Sequence, residues 1–168
     1  MEKRSYERIT PEELEILLKI ALDDFKDFVR RKPRYRPLKD TLLLIALCQG
    51  AAMHYIDGVT GVKDFDVWLF FAEIEGVPKF PPRRRKSYNI AFKRFGLKRV
   101  DILGRSIDKD IVESCGREPV CCITRYLNEK RTRTARELAK KAVVGLYPKE
   151  LFGNVLWPKR ARNYRYVR

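Results

Sequence analysis

Lys63-Asp64-Phe65-Asp66-Val67-Trp68-Leu69-Phe70-Phe71-Ala72 is the stretch on which the fold turns. Phe65 to Ala72 is rich in aromatic and β-branched residues, which fit a pleated surface, so the segment reads as a strand. Residues i and i+2 of a strand point to the same side, and Asp64 and Asp66 are therefore set beside one another. Two adjacent carboxylates repel. A hard cation relieves that repulsion best, and Mg²⁺ is characteristically held by one or two carboxylates together with substrate phosphates and water.

Upstream, Leu42 to Leu47 reads as a second buried strand, followed by Gly50-Ala51, where the backbone can approach a phosphate closely. A short helical turn over Ala51 to Ile56 would then offer free N–H groups to that phosphate. Asp57 to Gly61 is a loop leading to Asp64. Downstream, Lys98 to Leu103 is a third strand ending at Gly104, and it carries Asp101 between Val100 and Ile102. A charge in such apolar sequence needs a cation or a metal beside it, and Arg99 or Arg105 could supply that cation as a salt bridge. If the strands are neighbours, Asp64, Asp66 and Asp101 converge and can share cations.

This order of features, a strand ending in Gly50-Ala51, an Asp64-x-Asp66 strand and the later Asp101 strand, resembles the nucleotidyltransferase superfamily, which includes DNA polymerase beta and the minimal nucleotidyltransferases. The likeness spans Leu42 to Ile107, about 40% of the chain, and points to a prokaryotic branch of the superfamily. Ala51 departs from the family pattern, which has Ser or a second Gly there. The resemblance implies an α/β (α+β) domain with a short mixed sheet flanked by helices. It also implies Mg²⁺- or Mn²⁺-dependent transfer of a nucleoside monophosphate from a triphosphate such as ATP to a hydroxyl or similar acceptor. Asp64 and Asp66 would be metal ligands, Asp101 a ligand or general base, and Gly50 and Ala51 the nucleotide-binding turn.

Working outward, Thr10-Pro11-Glu12-Glu13 carries a capping box with proline at the first helical position. Apolar residues then recur at helical spacing, which predicts a helix over Pro11 to Arg31. Arg34 to Lys39 reads as a basic connector. Gly76 to Gly96, with its prolines and the run Arg83-Arg84-Arg85-Lys86, reads as a long surface excursion, and those four cations are candidate phosphate or nucleic-acid contacts. Helices are expected over Pro119 to Asn128 and Thr132 to Leu146, a last strand over Leu151 to Trp157, and a basic tail over Lys159 to Arg168.

The chain has 168 residues, the length of one domain with a core at about 41–107. Its 37 Lys+Arg against 22 Asp+Glu give +15, a surplus that favours polyanionic partners and tilts the acceptor toward RNA or tRNA. Two other readings stand beside the enzyme: a nucleic-acid-binding protein that keeps the fold without catalysis, and a tRNA-modifying toxin with a neutralising partner. No secretory leader pattern opens the chain and no apolar run approaches the roughly 20 residues of a membrane span, so a cytoplasmic protein is expected. Four cysteines without a Cys-x-x-Cys pair and a single histidine argue against zinc, and free buried thiols are expected. A single glutamine amid 35% charged residues is a composition found in proteins from hot environments. His54 is expected to be a hydrogen-bonded structural residue and Trp157 a packing residue.

Overall fold

The computed structural model describes residues 4–161, so the end of the basic tail lies outside the described residues. It is a mixed α/β fold in three layers. Helix α1 (Pro11–Arg31) forms where its capping box predicts. Glu13 accepts hydrogen bonds from the Thr10 amide at 2.7 Å and the Thr10 hydroxyl at 2.6 Å. A 3₁₀ segment (Pro33–Thr41) then leads into β1 (Leu42–Cys48), α2 (Gln49–Asp57) and β2 (Phe65–Ala72). After these come β3 (Lys86–Phe92), β4 (Gly96–Ile107), α3 (Lys109–Ser114), α4 (Pro119–Glu129), α5 (Arg133–Ala139), β5 (Val143–Tyr147) and β6 (Val155–Trp157).

The six strands lie in the order β3-β4-β2-β1-β5-β6, and all neighbours are antiparallel except β2 and β4. Alternation along the two central strands divides the core. Phe65, Val67, Leu69 and Phe71 of β2 join Ile45 and Leu47 of β1 beneath α1 and α2. Trp68, Phe70 and Ala72 join Leu44, Ala46 and Cys48 beneath α3, α4 and α5. Burial of both faces is what the unbroken apolar runs encode.

Besides the last strand, which begins at Val155 rather than Leu151, four expectations need correction. Gly76 to Gly96 is not wholly irregular, because Lys86–Phe92 forms the edge strand β3, hairpinned to β4. Its outward residues Ser87, Asn89 and Ala91 are exposed while Tyr88 and Ile90 pack inward, so it lacks the apolar density of the central strands. The strand carrying Asp101 runs through Gly104 to Ile107. Gly104 is needed there because a Cβ would stand 2.6 Å from the Phe80 ring. The helix expected to Leu146 stops at Ala139, and Val143–Tyr147 instead pairs with β1, the β-branched pair Val143-Val144 following the sheet rather than the helical spacing of the preceding alanines.

The fourth correction concerns the thiols. Cys115 and Cys121 form a disulfide between the end of α3 and the start of α4, with Cα atoms 5.6 Å apart, while Cys48 and Cys122 are free and buried. Such a bridge suits an oxidising compartment or the disulfide-rich interior of a hyperthermophile. Among the described residues no helix is long and apolar enough to cross a membrane.

Candidate active site

The parallel pairing of β2 with β4 places Asp66 directly opposite Asp101. Neighbouring strands are about 4.8 Å apart, and both residues alternate onto the face carrying Trp68, Phe70 and Leu103. Asp64 precedes Asp66 by two positions on the same side. The structure therefore brings together the three carboxylates that are far apart in sequence, at the end of the sheet face that α3 to α5 leave uncovered: Ser87, Asn89 and Leu97 beside them are exposed.

The three are not equivalent. Asp101 is fully buried, yet its oxygens are occupied: Arg85 donates from Nη2 at 2.6 Å, the Ser87 hydroxyl at 2.5 Å and Arg99 Nε at 3.2 Å. Burial opposes ionisation of this carboxyl, but the Arg85 and Ser87 hydrogen bonds and the two guanidinium charges outweigh it and lower its pKa. Arg99 also reaches Asp64, Nη2 to Oδ2 at 2.9 Å, so one guanidinium bridges β4 to the residue before β2.

Asp66 receives none of these bonds. Among the described residues it has no hydrogen-bond or ion-pair partner, although it is half-buried between the other two acids. Burial first, then the negative charges of Asp64 and Asp101, push its pKa up to about 7, against the pull of Arg85 and Arg99. On its other flank lies Cys48 of β1, its register partner, whose thiol is pushed far up by burial and by Asp66.

Immediately after Cys48 the chain turns into α2 through Gln49, at φ 60°, whose amide is held by the Ala142 carbonyl at 3.1 Å. Gly50 and Ala51 thus sit in the first turn of α2 rather than in a loop before it. Among the described residues no side chain caps that turn, and first-turn amides have no acceptor within the helix. A Cβ on Gly50 would meet nothing within 4 Å, so open space lies in front of it. The Ala51 side chain, in contrast, is buried in the core beneath α1, so only its backbone can serve a ligand.

The basic run divides. Arg84 turns to the α1 side, where it grips buried Asp24 with two bonds of 2.7 and 3.2 Å and lies 4.4 Å from the centre of the Phe28 ring. Tyr88 completes that cluster, donating to Asp24 at 2.6 Å; burial, then the Asp24 carboxylate, push the phenol up to about 12. Arg85 goes to the opposite face and Asp101, while Arg83 and Lys86 are exposed. Ser87 escaped sequence reading because β3 did; its alternation with Tyr88 was the available signal.

His54 is fully buried, with ring nitrogens 2.7 Å from the Thr60 carbonyl and 2.6 Å from that of Glu7, and Trp157 donates from its indole to the Ala139 carbonyl at 3.0 Å. Both are structural, as expected. Among the described residues no three His, Cys, Asp or Glu side chains could hold a metal ion as they stand; Arg99 spans the gap between Asp64 and Asp101.

Fold and site together define a mixed α/β protein with a carboxylate cluster at the open end of a parallel strand pair. Comparison with family models, with curated proteins and with solved structures found no match to the chain.

Proposed function

We infer that the chain is a Mg²⁺-dependent nucleotidyltransferase, moving a nucleoside monophosphate from a triphosphate to an acceptor hydroxyl, with RNA the favoured acceptor. The observation that carries this reading is Asp66: a half-buried carboxylate with no partner among the described residues, wedged between two others and raised to a pKa of about 7. A protein gains nothing structurally from such a group, and unpaired buried charge is costly. A strongly perturbed carboxylate beside specific charge partners is the mark of a functional site.

The residues fit a hard cation. Asp66 and Asp64, with Asp101 beside them, are oxygen donors, and the uncapped first turn of α2, with open space where a Gly50 side chain would stand, would offer amides to phosphate oxygens. A bound Mg²⁺ would neutralise the triphosphate and favour ionisation of an acceptor hydroxyl. The chain's own groups do the rest. Asp66 ionises when a cation replaces its missing partner. Asp101, fully buried and kept ionised by Arg85, Ser87 and Arg99, would serve as a ligand or general base only once one of those arginines moves off it. Arg99 and Arg85, released from the carboxylates, become available to phosphate oxygens.

Incorporation of labelled nucleotide into RNA and small acceptors, with and without Mg²⁺, tests the proposal. Asp66→Asn is expected to lower metal-dependent transfer at least a thousandfold while keeping the fold. Full activity in that variant, or no metal-dependent transfer with any of the four common triphosphates, overturns it. One observation favours a second reading, a nucleic-acid-binding protein without catalysis: Asp64 and Asp101 are already neutralised by arginine. In that case Asp66→Asn leaves RNA affinity unchanged or raised, and Mg²⁺ has no specific effect.

A further inference from the structure

The connector between α1 and β1, Pro33–Thr41, is a 3₁₀ helix whose three-residue period sorts its side chains. Tyr35, Leu38 and Thr41 are buried, the first two in the core beneath α1. Arg34, Arg36 and Lys39 are exposed, as is Lys32 just before them. At about 2.0 Å of rise per residue, Arg36 and Lys39 stand on one outward row roughly 6 Å apart. The segment leads into Leu42, which pairs with Phe71. It therefore lies at the far end of β2 from Asp66, roughly 16 Å along the strand, and on the opposite face of the sheet.

Most acids on this side of the molecule are already answered. Asp27 accepts from Arg30 and Arg31 at 2.5 and 2.9 Å, Asp23 from Lys19 at 2.8 Å and Asp24 from Arg84 at 2.7 Å. Among the described residues Lys32, Arg34, Arg36 and Lys39 have no carboxylate partner, and neither has the exposed Arg83 beside Arg84. The unpaired acids next to these five cations are Asp40 and, across a shallow groove from Lys39, Glu15. Arg34 is held in place even without a carboxylate. Its guanidinium lies 4.5 Å from the centre of the Tyr35 ring and donates to the Tyr35 hydroxyl. The Tyr35 ring is 4.9 Å from that of Phe28, over which Arg84 lies, so the 3₁₀ helix and the 81–86 loop share one aromatic column. That column carries one arginine that is neutralised and one that is not. A guanidinium already fixed on a ring loses little further freedom when it meets an oxyanion.

We propose that the exposed face of this 3₁₀ helix, with Arg83 beside it, is a docking surface for duplex nucleic acid, gripped through its phosphates. Interfacial membrane binders bury an apolar face in the bilayer, whereas the aromatic and aliphatic side chains of this helix, Tyr35 and Leu38, are turned inward. Single strands are held by bases stacked on exposed rings, and here Phe28, Tyr35 and Phe80 are all buried. What the surface offers is cations spaced for successive phosphates, which position a duplex without reading its sequence. The surface does not depend on the chain being a nucleotidyltransferase, because it shares no residue with the carboxylate cluster.

The test is fluorescence anisotropy of a labelled RNA duplex titrated with the full chain over a series of salt concentrations. Arg36→Gln/Lys39→Gln should weaken binding at least tenfold at low salt. Its plot of log affinity against log salt should be shallower than wild type by about 2, since each lost phosphate contact removes about 0.9 from the slope. Arg133→Gln/Arg136→Gln removes the same charge from exposed positions of α5, on the other side of the sheet, and should cost less than threefold. Asp66→Asn should not weaken binding, whatever the nucleotide-transfer assay returns, so failure of this surface is distinguishable from failure of the carboxylate reading. The four arginine and lysine positions are exposed, and their replacement leaves the core untouched. Equal losses in the two double variants, or tighter binding of a single strand of the same length, overturn the proposal. So do displacement of the duplex by polyglutamate as readily as by unlabelled duplex, and a loss of phosphatidylserine-vesicle binding in Arg36→Gln/Lys39→Gln as large as the loss of duplex binding.

Discussion

Two neighbouring arginines divide between the two faces of the sheet, and their destinations differ in one respect. Arg84 goes to the α1 face and meets one carboxylate, Asp24, whose remaining valence Tyr88 fills. Arg85 goes to the opposite face and meets Asp101, but there two arginines answer three carboxylates, and Asp66 is left over. The first cluster is closed: every charged group is matched and Asp24 is 3% exposed. Among the described residues, the second is short of one positive charge. A closed cluster fastens a loop to a helix, whereas a cluster short of one positive charge takes up a proton, as Asp66 does, or, on the proposed reading, a cation.

The largest effect separates the two by stability. Asp24→Ala strands Arg84 and the Tyr88 hydroxyl in a nearly closed interior, and breaking a buried pair of this kind typically costs about 3–5 kcal/mol. Urea denaturation should show the loss, accompanied by release of the 81–86 loop from α1. A cost near zero would show that the α1-face cluster is ornamental, and the contrast would lose its structural half.

Asp66→Asn should move stability the other way. The Asp66 pKa, raised to about 7 in the folded chain, lies above the ordinary 3.8. Between those values the unfolded chain releases a proton that the folded chain keeps, so wild-type stability falls as pH rises from about 4 to about 7 and is level above that. The asparagine variant lacks this loss. Its advantage over wild type should grow across that window to roughly 1–3 kcal/mol at pH 8. The depressed carboxyl of Asp101 acts in both proteins, stabilising above its ordinary value and ceasing to do so as pH falls, and largely cancels in the difference. An advantage that does not change with pH would mean that Asp66 holds no extra proton.

How much of this contrast the sequence contained depends on which residues are asked about. The central strand Phe65–Ala72 was legible to the residue because burial on both faces leaves an unbroken apolar run, and the α1 boundaries were legible because capping is local chemistry. The edge strand β3 was hidden, since an outward row of Ser87, Asn89 and Ala91 dilutes its apolar pattern. The strand β5 was hidden because alanines at helical spacing run up to it, and only pairing with β1 fixes its conformation. In the site, Asp64 and Asp66 were legible from i, i+2 geometry, and Asp101 from its apolar neighbours. Of the arginine partners, Arg99 was legible as a neighbour of Asp101 on its own strand, whereas Arg85 was not: with 37 basic residues, the one that reaches across to a given carboxylate is set by the turn into the hairpin, a tertiary fact.

Magnesium should sharpen the contrast by a smaller amount. A cation that binds only the folded chain stabilises it by about 1.4 kcal/mol at ten times its dissociation constant. Thermal unfolding at pH 8 should rise with Mg²⁺ in the wild type and in a variant of the α1-face cluster such as Tyr88→Phe, and be unresponsive in Asp66→Asn. Equal responses in all three would place any magnesium effect outside the carboxylate cluster.

The finest test lies in Arg99, which spans the gap a shared cation would fill, 2.9 Å from Asp64 and 3.2 Å from Asp101. If guanidinium and metal compete for the same oxygens, removing the guanidinium helps the metal. Arg99→Met keeps the apolar stem on the strand and deletes only the competing charge, while Arg85 and Ser87 still hold Asp101. Its affinity for Mn²⁺, read by paramagnetic line broadening, should rise about threefold to tenfold, in keeping with the modest strength of half-exposed ion pairs. Triphosphate affinity should fall in the same variant, because the freed arginine would otherwise meet phosphate oxygens. The opposite signs are what make the test discriminating. An arginine that merely braces the carboxylates would, on removal, loosen the cluster and weaken both ligands together, and the carboxylate cluster would then be as structural as its counterpart on the α1 face.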